Sequence, residues 1–289
     1  MSVAKTRSRF SGETIWIIGA SSGIGEQLAI ALAQQGARLL LSARRQQHLA
    51  ILRQRLTEDS SGHGSGDVPG KQVSHYIYPL DVANRQQFAE TCAAVACRVK
   101  EQRAKLDRVI FLPALYQPRR IIDVDLDLAA QIVDVNFKSV LYLGKYLLPI
   151  LLEQQSGQLA LCGSVAGYTG LPQGQPYSAT KAALINFAES LHAEVPKGID
   201  IKLINPGFVA TPLTEKNHFA MPMIISPQQA ASHIMHGLLR TSFEIAFPKR
   251  FTLLLRVLDL LPYRLKLWIT GSMSVNPATT NPSSTQKPG

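Results

Sequence analysis

Seven short apolar runs, separated by stretches with helical spacing of apolar residues, constrain the fold of this chain more than any other feature. The runs lie at about residues 14–18, 38–42, 73–78, 107–112, 158–163, 199–204 and 243–247. Strands that alternate with helices in this way are typical of a parallel sheet with helices on both faces. A chain of 289 residues, 46% hydrophobic and 17% charged, is long and apolar enough for one such domain. The sequence therefore predicts a single α/β domain with a doubly wound parallel sheet.

Outside the predicted domain at residues 13–248, the two ends of the chain differ in composition. Residues 1–12 form a basic arm without the apolar stretch that a secretory signal requires, which favours the cytoplasm. Residues 249–270 mix apolar with basic residues and predict a helical extension, and residues 271–289, rich in Pro, Ser, Thr and Asn, predict a disordered tail. Within the domain, the polar stretch from Thr57 to Lys71 predicts a mobile surface loop.

The first apolar run leads directly into a turn rich in glycine. Ile15-Trp16-Ile17-Ile18 is followed by Gly19-Ala20-Ser21-Ser22-Gly23-Ile24-Gly25, and then by a helical pattern through Gln35. A phosphate can rest on the N–H groups at the start of a helix only where no Cβ intervenes, which is a physical reason for these glycines. Taken alone, the motif is equally compatible with a tight turn that binds nothing.

A second motif combines a tyrosine, a lysine and a serine. Tyr177 and Lys181 are four residues apart, so on a helix their side chains share one face. A neighbouring ammonium favours the phenolate and lowers the pKa of the tyrosine, so the pair can exchange a proton with a carbonyl or alcohol oxygen. Upstream, Ser164 ends an apolar run and offers a hydroxyl to the same oxygen. The spacing alone is also compatible with an alternative in which Tyr177 and Lys181 are solvated neighbours on the surface of a helix.

Together, the glycine turn and the serine, tyrosine and lysine resemble the classical short-chain dehydrogenase/reductase family over about residues 13–248. The resemblance implies a Rossmann-type fold and the interconversion of a carbonyl and an alcohol with a nicotinamide cofactor. It adds Asn136, whose counterpart in the family holds a water in a proton relay with the lysine. The resulting catalytic tetrad is Asn136, Ser164, Tyr177 and Lys181.

The resemblance also assigns the cofactor site. Asp81 and Val82 match the pair near the adenine ring, and Thr211 matches the residue that contacts the nicotinamide carboxamide. The expected cofactor-binding residues are Gly19, Ser21, Ser22, Gly23, Ile24, Gly25, Arg44, Arg45, Asp81, Val82, Pro206, Gly207, Val209 and Thr211, with Asn136, Tyr177 and Lys181 from the tetrad.

The end of the second strand indicates which dinucleotide is bound. Ala43 stands where an acidic residue would accept hydrogen bonds from a ribose 2′-hydroxyl, and Arg44 and Arg45 follow it. Arginine favours a 2′-phosphate, so NADP(H) is predicted over NAD(H), with Arg44 as the principal contact. The alternative is that both arginines are solvated charges at a helix start.

Two departures from the family pattern occur together. Ile18 replaces the threonine before the first glycine, and Phe111-Leu112-Pro113-Ala114 replaces the asparagine segment to which that threonine bonds in the family. Replacing both partners of a buried hydrogen bond with apolar groups can be nearly neutral, so an apolar repacking of the sheet centre is predicted. Pro113 lacks a backbone donor and Ala114 adds a Cβ beside the expected ribose, which affects cofactor affinity rather than the chemistry.

No metal and no nucleic acid are predicted as ligands. Cys92, Cys97 and Cys162 form neither a CxxC pair nor an even disulfide framework, and His233 and His236 have helical spacing but no acidic or cysteine companions. The net charge of +10 comes from dispersed basic residues without a recognised nucleic-acid motif.

Two segments bear on the substrate and partners. The apolar stretch Met221-Pro222-Met223-Ile224-Ile225 lies where the family places its substrate lid, which suggests a lipophilic substrate. In residues 249–270, Pro262 separates two amphipathic pieces whose charges argue against a membrane span. This segment either lies on an anionic membrane surface, or caps the substrate cleft or packs in a subunit interface.

The function predicted from the sequence is an NADP(H)-dependent oxidoreductase that interconverts a lipophilic ketone or aldehyde and an alcohol. The family resemblance implies a homodimer or homotetramer. The location expected is the cytoplasm, with peripheral attachment at the inner face of a membrane. The alternative is a non-catalytic dinucleotide-binding sensor or scaffold, since folds of this kind are reused.

Overall fold

The computed structural model describes residues 9–62, 73–217 and 221–273, and places seven strands in one parallel sheet. The sheet order is β3-β2-β1-β4-β5-β6-β7, and every pair of neighbours is parallel. The strands are β1 Thr14–Ile18, β2 Arg38–Ala43, β3 Tyr76–Pro79, β4 Arg108–Phe111, β5 Gly157–Cys162, β6 Ile199–Pro206 and β7 Glu244–Phe247. The predicted doubly wound parallel sheet is confirmed.

Ten α-helices accompany the sheet in the described part of the chain. They are α1 Gly23–Gln34, α2 Gln46–Gly62, α3 Arg85–Glu101, α4 Leu126–Val133, α5 Ser139–Tyr146, α6 Leu148–Gln154, α7 Tyr177–Glu194, α8 Pro227–Leu238, α9 Lys249–Leu260 and α10 Tyr263–Ser272. One apolar core packs α1, α2 and α8 on one face of the sheet, and another packs α3, α5, α6 and α7 on the opposite face. The central strands are buried on both faces, as continuous apolar runs require.

The sheet order reverses between β1 and β4, which are hydrogen-bonded neighbours. In open parallel sheets, a crevice for ligands forms beyond the carboxyl ends of the strands at such a point. The glycine turn follows β1 at this edge, and residues 112–115 follow β4. The fold therefore brings these two segments to opposite sides of one crevice.

Apolar packing replaces the family's hydrogen bond at the sheet centre, as the sequence predicted. Ile18 pairs with Phe111 between β1 and β4, and both side chains are buried. The Phe111 ring lies 6.5 Å from that of Phe88, centroid to centroid, within the core beneath α3. The two substitutions thus leave no polar partner unsatisfied at this point of the core.

Helix α2 is longer than the sequence indicated. It extends to Gly62, so the loop predicted from Thr57 begins too early. The buried side chain of Leu56 holds this turn against the core, and the Thr57 hydroxyl donates a hydrogen bond of 2.9 Å to the Arg53 carbonyl oxygen. The rest of the predicted loop, residues 63–72, lies outside the described residues.

Both ends of the domain also differ from the sequence boundaries. Phe10, in the stretch assigned to the N-terminal arm, is buried in the core, with the Arg108 guanidinium 5.2 Å from its ring centroid. Helix α10 continues to Ser272, two residues into the stretch predicted as a disordered tail. Residues 1–8 and 274–289 lie outside the described residues.

The helical run Leu126–Gln154 is long and apolar enough, by length and composition, to cross a membrane. It is composed of α4, a π-helix at Asp134–Lys138, α5 and α6, and it packs against α3 and α7 of the domain. A third of its most apolar window is buried, so much of its apolar surface faces away from the core.

Candidate active site

A cavity of about 460 Å³ occupies the crevice between the glycine turn and the segment after β4. Its volume lies in the range typical of small-molecule and cofactor sites. The predicted cofactor residues in its lining are Gly19, Ser21, Ser22, Gly23, Ile24, Gly25, Arg44, Arg45, Asp81, Val82 and Thr211. The two segments predicted from opposite ends of the domain, the glycine turn and the stretch around Thr211, therefore share one wall.

The glycines shape the wall of this cavity. Gly19 and Gly23 have φ angles of +95° and +58°, a backbone region that L side chains rarely adopt. At Gly25, a Cβ would lie 2.1 Å from the Gly19 carbonyl oxygen, so helix α1 packs against the turn only without a side chain there. The first residues of α1 line the cavity, where a pyrophosphate would be held.

Three predicted cofactor residues are absent from the cavity lining: Pro206, Gly207 and Val209. Val209 is buried in the core, and a Cβ on Gly207 would lie 2.9 Å from the Phe251 ring of α9. The glycine therefore permits close packing of the C-terminal extension. The tetrad residues Asn136, Tyr177 and Lys181, also predicted to touch the cofactor, do not line this cavity either.

The arginines after β2 differ in their contacts. Both are exposed and line the cavity, but Arg45 is the one tied to the glycine turn, with its Nη2 3.3 Å from Ser21 Oγ and 3.4 Å from the Ser21 carbonyl oxygen. The sequence favoured Arg44 of the two. Together they place two positive charges beside the end of β2, and the residues present fit a nicotinamide dinucleotide.

Lys216 is a cavity residue that the sequence analysis missed. Its ammonium donates a hydrogen bond of 3.2 Å to the Tyr116 carbonyl oxygen and so joins the segment after β6 to the segment after β4. The only signal in the sequence is its position, five residues beyond Thr211.

The tyrosine and lysine lie on the first turn of α7, beside the end of β5. Lys181 is completely buried, its ammonium donates a hydrogen bond of 2.7 Å to the Cys162 carbonyl oxygen, and Nζ lies 5.7 Å from the Tyr177 ring centroid. Burial lowers the pKa of Lys181. Burial also raises the pKa of Tyr177, and a hydrogen bond with Ser164 opposes that shift.

The direction of the Tyr177 shift corrects the expectation that Lys181 lowers the pKa of the phenol. In the protein alone, loss of water around Tyr177 outweighs any stabilisation of the phenolate, because the Lys181 ammonium is bonded to a backbone carbonyl rather than to the phenol oxygen. The phenol is therefore held in its protonated form, as a proton donor requires.

Ser164 stands between β5 and α7 and is fixed by its own turn. It caps the 3₁₀ turn Val165–Gly167, and its Oγ accepts a hydrogen bond of 3.1 Å from the Ala166 N–H. The side chain is buried, and its hydroxyl also hydrogen-bonds the phenol of Tyr177.

Asn136 lies at the middle of the π-helix between α4 and α5. Its Oδ1 accepts from the Leu115 N–H at 2.7 Å, and its Nδ2 donates to the Leu115 carbonyl oxygen at 2.9 Å and to Thr180 Oγ1 at 3.1 Å. One buried amide therefore connects the segment after β4 with the helix that carries Tyr177 and Lys181. Single π turns inside α-helices occur frequently at functional sites.

Tyr116 was missed as a site residue. Its ring centroid lies 4.8 Å from that of Tyr177 in an edge-to-face arrangement, and its hydroxyl donates to Asn217 Oδ1 at 2.8 Å. Burial raises the pKa of Tyr116 to about 12, so it presents a neutral aromatic wall beside Tyr177. No periodicity or motif in the sequence singles out this tyrosine.

A polar network joins the C-terminal extension to the serine turn. Glu244 at the start of β7 accepts hydrogen bonds from Tyr168, Asn205 and Arg256. The Arg256 guanidinium of α9 also lies 5.5 Å from the Tyr168 ring centroid, and Tyr168 directly follows the turn capped by Ser164. Helix α9 is thus bonded to the segment that positions Ser164.

Within the described residues, no three His, Cys, Asp or Glu side chains lie close enough together to hold a metal ion. His233 stacks on Phe247 at 5.2 Å, and His236 Nδ1 lies 2.7 Å from the Ser232 carbonyl oxygen. All three cysteines are free.

Comparison with known proteins identifies the family. The model of the family described as short chain dehydrogenase matches residues 13–220. The chain belongs to this family. An uncharacterized oxidoreductase of Staphylococcus aureus strain USA300 is 30% identical to this short-chain dehydrogenase over 224 residues, 77% of this chain and 89% of the relative. One from Staphylococcus epidermidis strain ATCC 35984 is 31% identical over 227 residues, 78% of this chain and 90% of the relative.

Solved structures share the fold of this short-chain dehydrogenase. A short-chain type dehydrogenase/reductase from Mycobacterium ulcerans superposes with a TM-score of 0.69 at 20% identity, over 82% of this chain and 89% of that one. A variant of actinorhodin polyketide ketoreductase with NADPH gives 0.68 at 21% identity, over 81% and 95%. Family membership makes this short-chain dehydrogenase an oxidoreductase that acts on CH–OH or carbonyl groups with a nicotinamide dinucleotide.

Proposed function

We propose that this short-chain dehydrogenase is an NADP(H)-dependent oxidoreductase that interconverts a lipophilic ketone or aldehyde and the corresponding alcohol. The observation that carries the proposal is that Tyr177, with its raised pKa, lies close to the buried side chains of Lys181 and Ser164. These residues lie beside a cavity that is lined by the glycine turn and a pair of arginines.

The roles proposed for the tetrad in the reducing direction are those that the family resemblance implies. The bound cofactor supplies a hydride to the carbonyl carbon. Ser164 hydrogen-bonds the carbonyl oxygen, and Tyr177 transfers its hydroxyl proton to that oxygen as negative charge develops there. Lys181 would hold the cofactor ribose, and Asn136 would support the relay that returns a proton to Tyr177. In the oxidising direction, each proton moves the opposite way.

A Tyr177→Phe variant tests the role of the phenol. Removing the acid of a general acid–base step lowers turnover by about 10²- to 10⁴-fold, while the ring and its contact with Tyr116 remain. The measurement is the loss of reduced-cofactor absorbance with a carbonyl substrate, alongside a fluorescence titration with NADPH. Tyr76→Phe is the matched control, because Tyr76 lies on β3 at the far edge of the sheet. Full turnover by Tyr177→Phe would contradict the proposed roles.

The preference for NADP(H) rests on the two arginines and on the lack of an acid at Ala43. Among the structures with this fold, actinorhodin polyketide ketoreductase is described with NADPH. An alcohol dehydrogenase from Thermococcus sibiricus is described with 5-hydroxy-NADP. It superposes with a TM-score of 0.68 at 22% identity, over 81% of this chain and 95% of that one. An Arg44→Ala, Arg45→Ala double variant is expected to bind NADPH at least tenfold more weakly with NADH affinity unchanged. Arg53→Ala on α2 serves as control. Equal losses for both dinucleotides would refute the preference.

The lipophilic substrate is inferred from Tyr116 beside Tyr177 and from the apolar stretch predicted as the substrate lid. Tyr116 provides an aromatic wall, and Met223 and Ile224 of the lid are exposed beside Ile225, which bridges to Val209. A panel of aldehydes and ketones graded in chain length tests this inference. We expect kcat/KM to rise with each added methylene until the cleft is filled, and a flat or falling series would contradict it.

For assembly and location we propose a homodimer or homotetramer in the cytoplasm, at the inner face of a membrane. The assembly is supported by exposed apolar residues along the run of α4, α5 and α6, among them Val133, Leu141 and Leu152. An apolar surface of this kind is typical of contacts between identical subunits.

A second candidate is a dinucleotide-binding sensor or scaffold, favoured by Pro113 and Ala114 in the cavity lining. A Cβ at Gly19 would lie 3.2 Å from the Pro113 nitrogen, so this side of the cavity is narrow. NADPH binding without turnover across the whole carbonyl panel would support this second candidate. Turnover that depends on Tyr177 would dismiss it.

A further inference from the structure

Helices α9 and α10 present two different faces. The inner face of α9 carries Phe251, Leu255 and Leu258, which are buried against Val165, Tyr168 and Phe208 of the domain. This packing fixes the orientation of the extension on the domain. The side chains on the opposite face of α9 therefore point away from the domain.

The outer face is apolar and exposed. Its members are Leu253, Leu254, Val257 and Leu260 on α9 and Leu267 and Trp268 on α10. Leu260 is 85% and Trp268 73% exposed, values far from those of core residues. A contiguous apolar surface that remains exposed in a folded chain marks an interaction site.

The charge on this extension is strongly one-sided. Residues 249–272 contain five basic residues and a single acidic one, Asp259. The basic residues Arg256 and Lys266 are paired with Glu244 and Asp259, while Lys249, Arg250 and Arg264 are exposed. The outer face thus combines apolar side chains with free cations, and a partner for it must accept both.

A second copy of the chain fits this face poorly. In a two-fold contact the same patch meets itself, so a segment with five cations and one anion would face an identical segment. Like charges facing one another oppose association. An anionic lipid surface satisfies both features, because acyl chains accept the leucines and phosphate headgroups accept the cations, with Tyr263 and Trp268 at the boundary.

We propose that the outer face of α9 and α10 docks this protein on membranes that carry anionic phospholipids. The helices lie in the interface rather than cross it, since neither has the length of a membrane span. Docking is independent of the reaction, because the outer face contains no residue of the cavity lining or the tetrad. It sets the extension, and with it the segment after Ser164, close to the lipid surface.

Co-sedimentation of the full chain with vesicles tests the proposal. Vesicles of phosphatidylcholine alone are compared with vesicles containing roughly 30% phosphatidylglycerol, at low and high salt. Each cation that meets the anionic surface is expected to raise the affinity roughly fivefold. We expect binding only to the anionic vesicles and release by salt. A Leu260→Ser, Trp268→Ser double variant and an Arg250→Gln, Arg264→Gln double variant are each expected to lose at least tenfold in affinity.

Tryptophan fluorescence gives a second readout that locates the contact. The chain has two tryptophans, of which Trp16 is fully buried and Trp268 is exposed. Anionic vesicles should therefore shift the emission to the blue through Trp268 alone. In a Trp268→Phe variant the shift should vanish while sedimentation persists.

Controls distinguish a failed proposal from a failed fold. Ile51→Ser changes an exposed isoleucine on α2 and should leave vesicle binding unchanged. Each variant must keep the thermal midpoint and the solution activity of the unaltered protein. Absence of binding, equal binding to neutral vesicles, or variants that bind as well as the unaltered protein would overturn the proposal. So would a dimer that dissociates in the Leu260→Ser, Trp268→Ser variant, since the face would then join two copies of the chain.

Discussion

At the scale of single residues, burial determines the chemistry of Tyr177 and Lys181. Burial favours the neutral form of both groups, and Lys181 Nζ donates a hydrogen bond to the Cys162 carbonyl oxygen, a partner that the sequence spacing does not reveal. The four-residue spacing indicated that the two side chains lie close together on one helix. The direction of the Tyr177 shift depends on the water removed around them, which only the folded structure determines.

His75 makes stability depend on pH. It is buried before β3, its Nδ1 accepts a hydrogen bond from the Leu39 N–H, and burial lowers its pKa from 6.5 to about 4. The unfolded chain binds a proton near pH 6.5 and the folded chain only near pH 4, so stability is full above 6.5 and falls as pH drops toward 4.

We expect the free energy of unfolding to fall by about 1 kcal/mol between pH 7 and pH 5.5 through His75. Urea titrations at both pH values measure the change. A His75→Asn variant should lose this slope, whereas His48→Asn, at an exposed position, should retain it. An unchanged slope in His75→Asn would show that another group is responsible.

Gly25 gives a second prediction for a single residue. Because a Cβ there would lie 2.1 Å from the Gly19 carbonyl oxygen, Gly25→Ala must displace the glycine turn. We expect a loss of about 1–3 kcal/mol in stability and at least tenfold weaker NADPH binding. Gly170→Ala is the control, since a Cβ there meets nothing within 4 Å. Normal cofactor affinity in Gly25→Ala would mean that this turn does not hold the dinucleotide.

At the scale of secondary-structure elements, α9 acts on the site through Arg256. This arginine bonds Glu244 and lies over Tyr168, just after the turn that Ser164 caps. Without Arg256, the mostly buried carboxylate of Glu244 has no cation beside it, which lowers the free energy of unfolding. The turn that Ser164 caps is then held less firmly.

An Arg256→Gln variant should therefore lower the thermal midpoint and reduce kcat several-fold, with little change in KM. Arg250→Gln, on the same helix but exposed, should match the unaltered protein when vesicles are absent. Differential scanning fluorimetry and steady-state kinetics give both values. Identical kcat in the two variants would mean that α9 does not position the serine turn.

The sequence predicted elements best where a single local rule decides them. Apolar runs, and the residues that interrupt them, predict β1 with its glycine turn. They also predict the two helical pieces on either side of Pro262. Helix α2 exceeded its predicted end because a buried Leu56 stabilises a turn whose own residues favour a loop. Tertiary contact overrode local preference there.

At the scale of the whole molecule, the fold could be predicted because its strands and turns leave signatures within a few residues, and the proposed tetrad rests on equally local motifs. The network around Glu244, the contact of Tyr116 with Tyr177 and the packing of Gly207 on Phe251 could not. Each joins segments tens of residues apart whose meeting depends on the sheet order. Sequence periodicity carries no information about which distant segments meet.

The apolar surface on α4, α5 and α6 predicts self-association of the whole molecule. A Leu141→Asp variant places a charge in the middle of this surface and should shift the mass in solution toward the monomer. Sedimentation velocity measures the mass, with Ile51→Asp on α2 as control, because Ile51 is exposed on a different helix. If the unaltered protein is already a monomer, or if both variants keep its mass, the proposed assembly is wrong.

The π-helix at Asp134–Lys138 has a consequence for how this chain tolerates change in length. One additional residue in a helix turns everything that follows by about 100° relative to what precedes it. Deleting one residue there would restore regular α-helical winding but rotate Asn136 away from both Leu115 and Thr180. Substitutions in this helix alter one side chain at a time, whereas a one-residue deletion would dismantle the junction between two segments of the site.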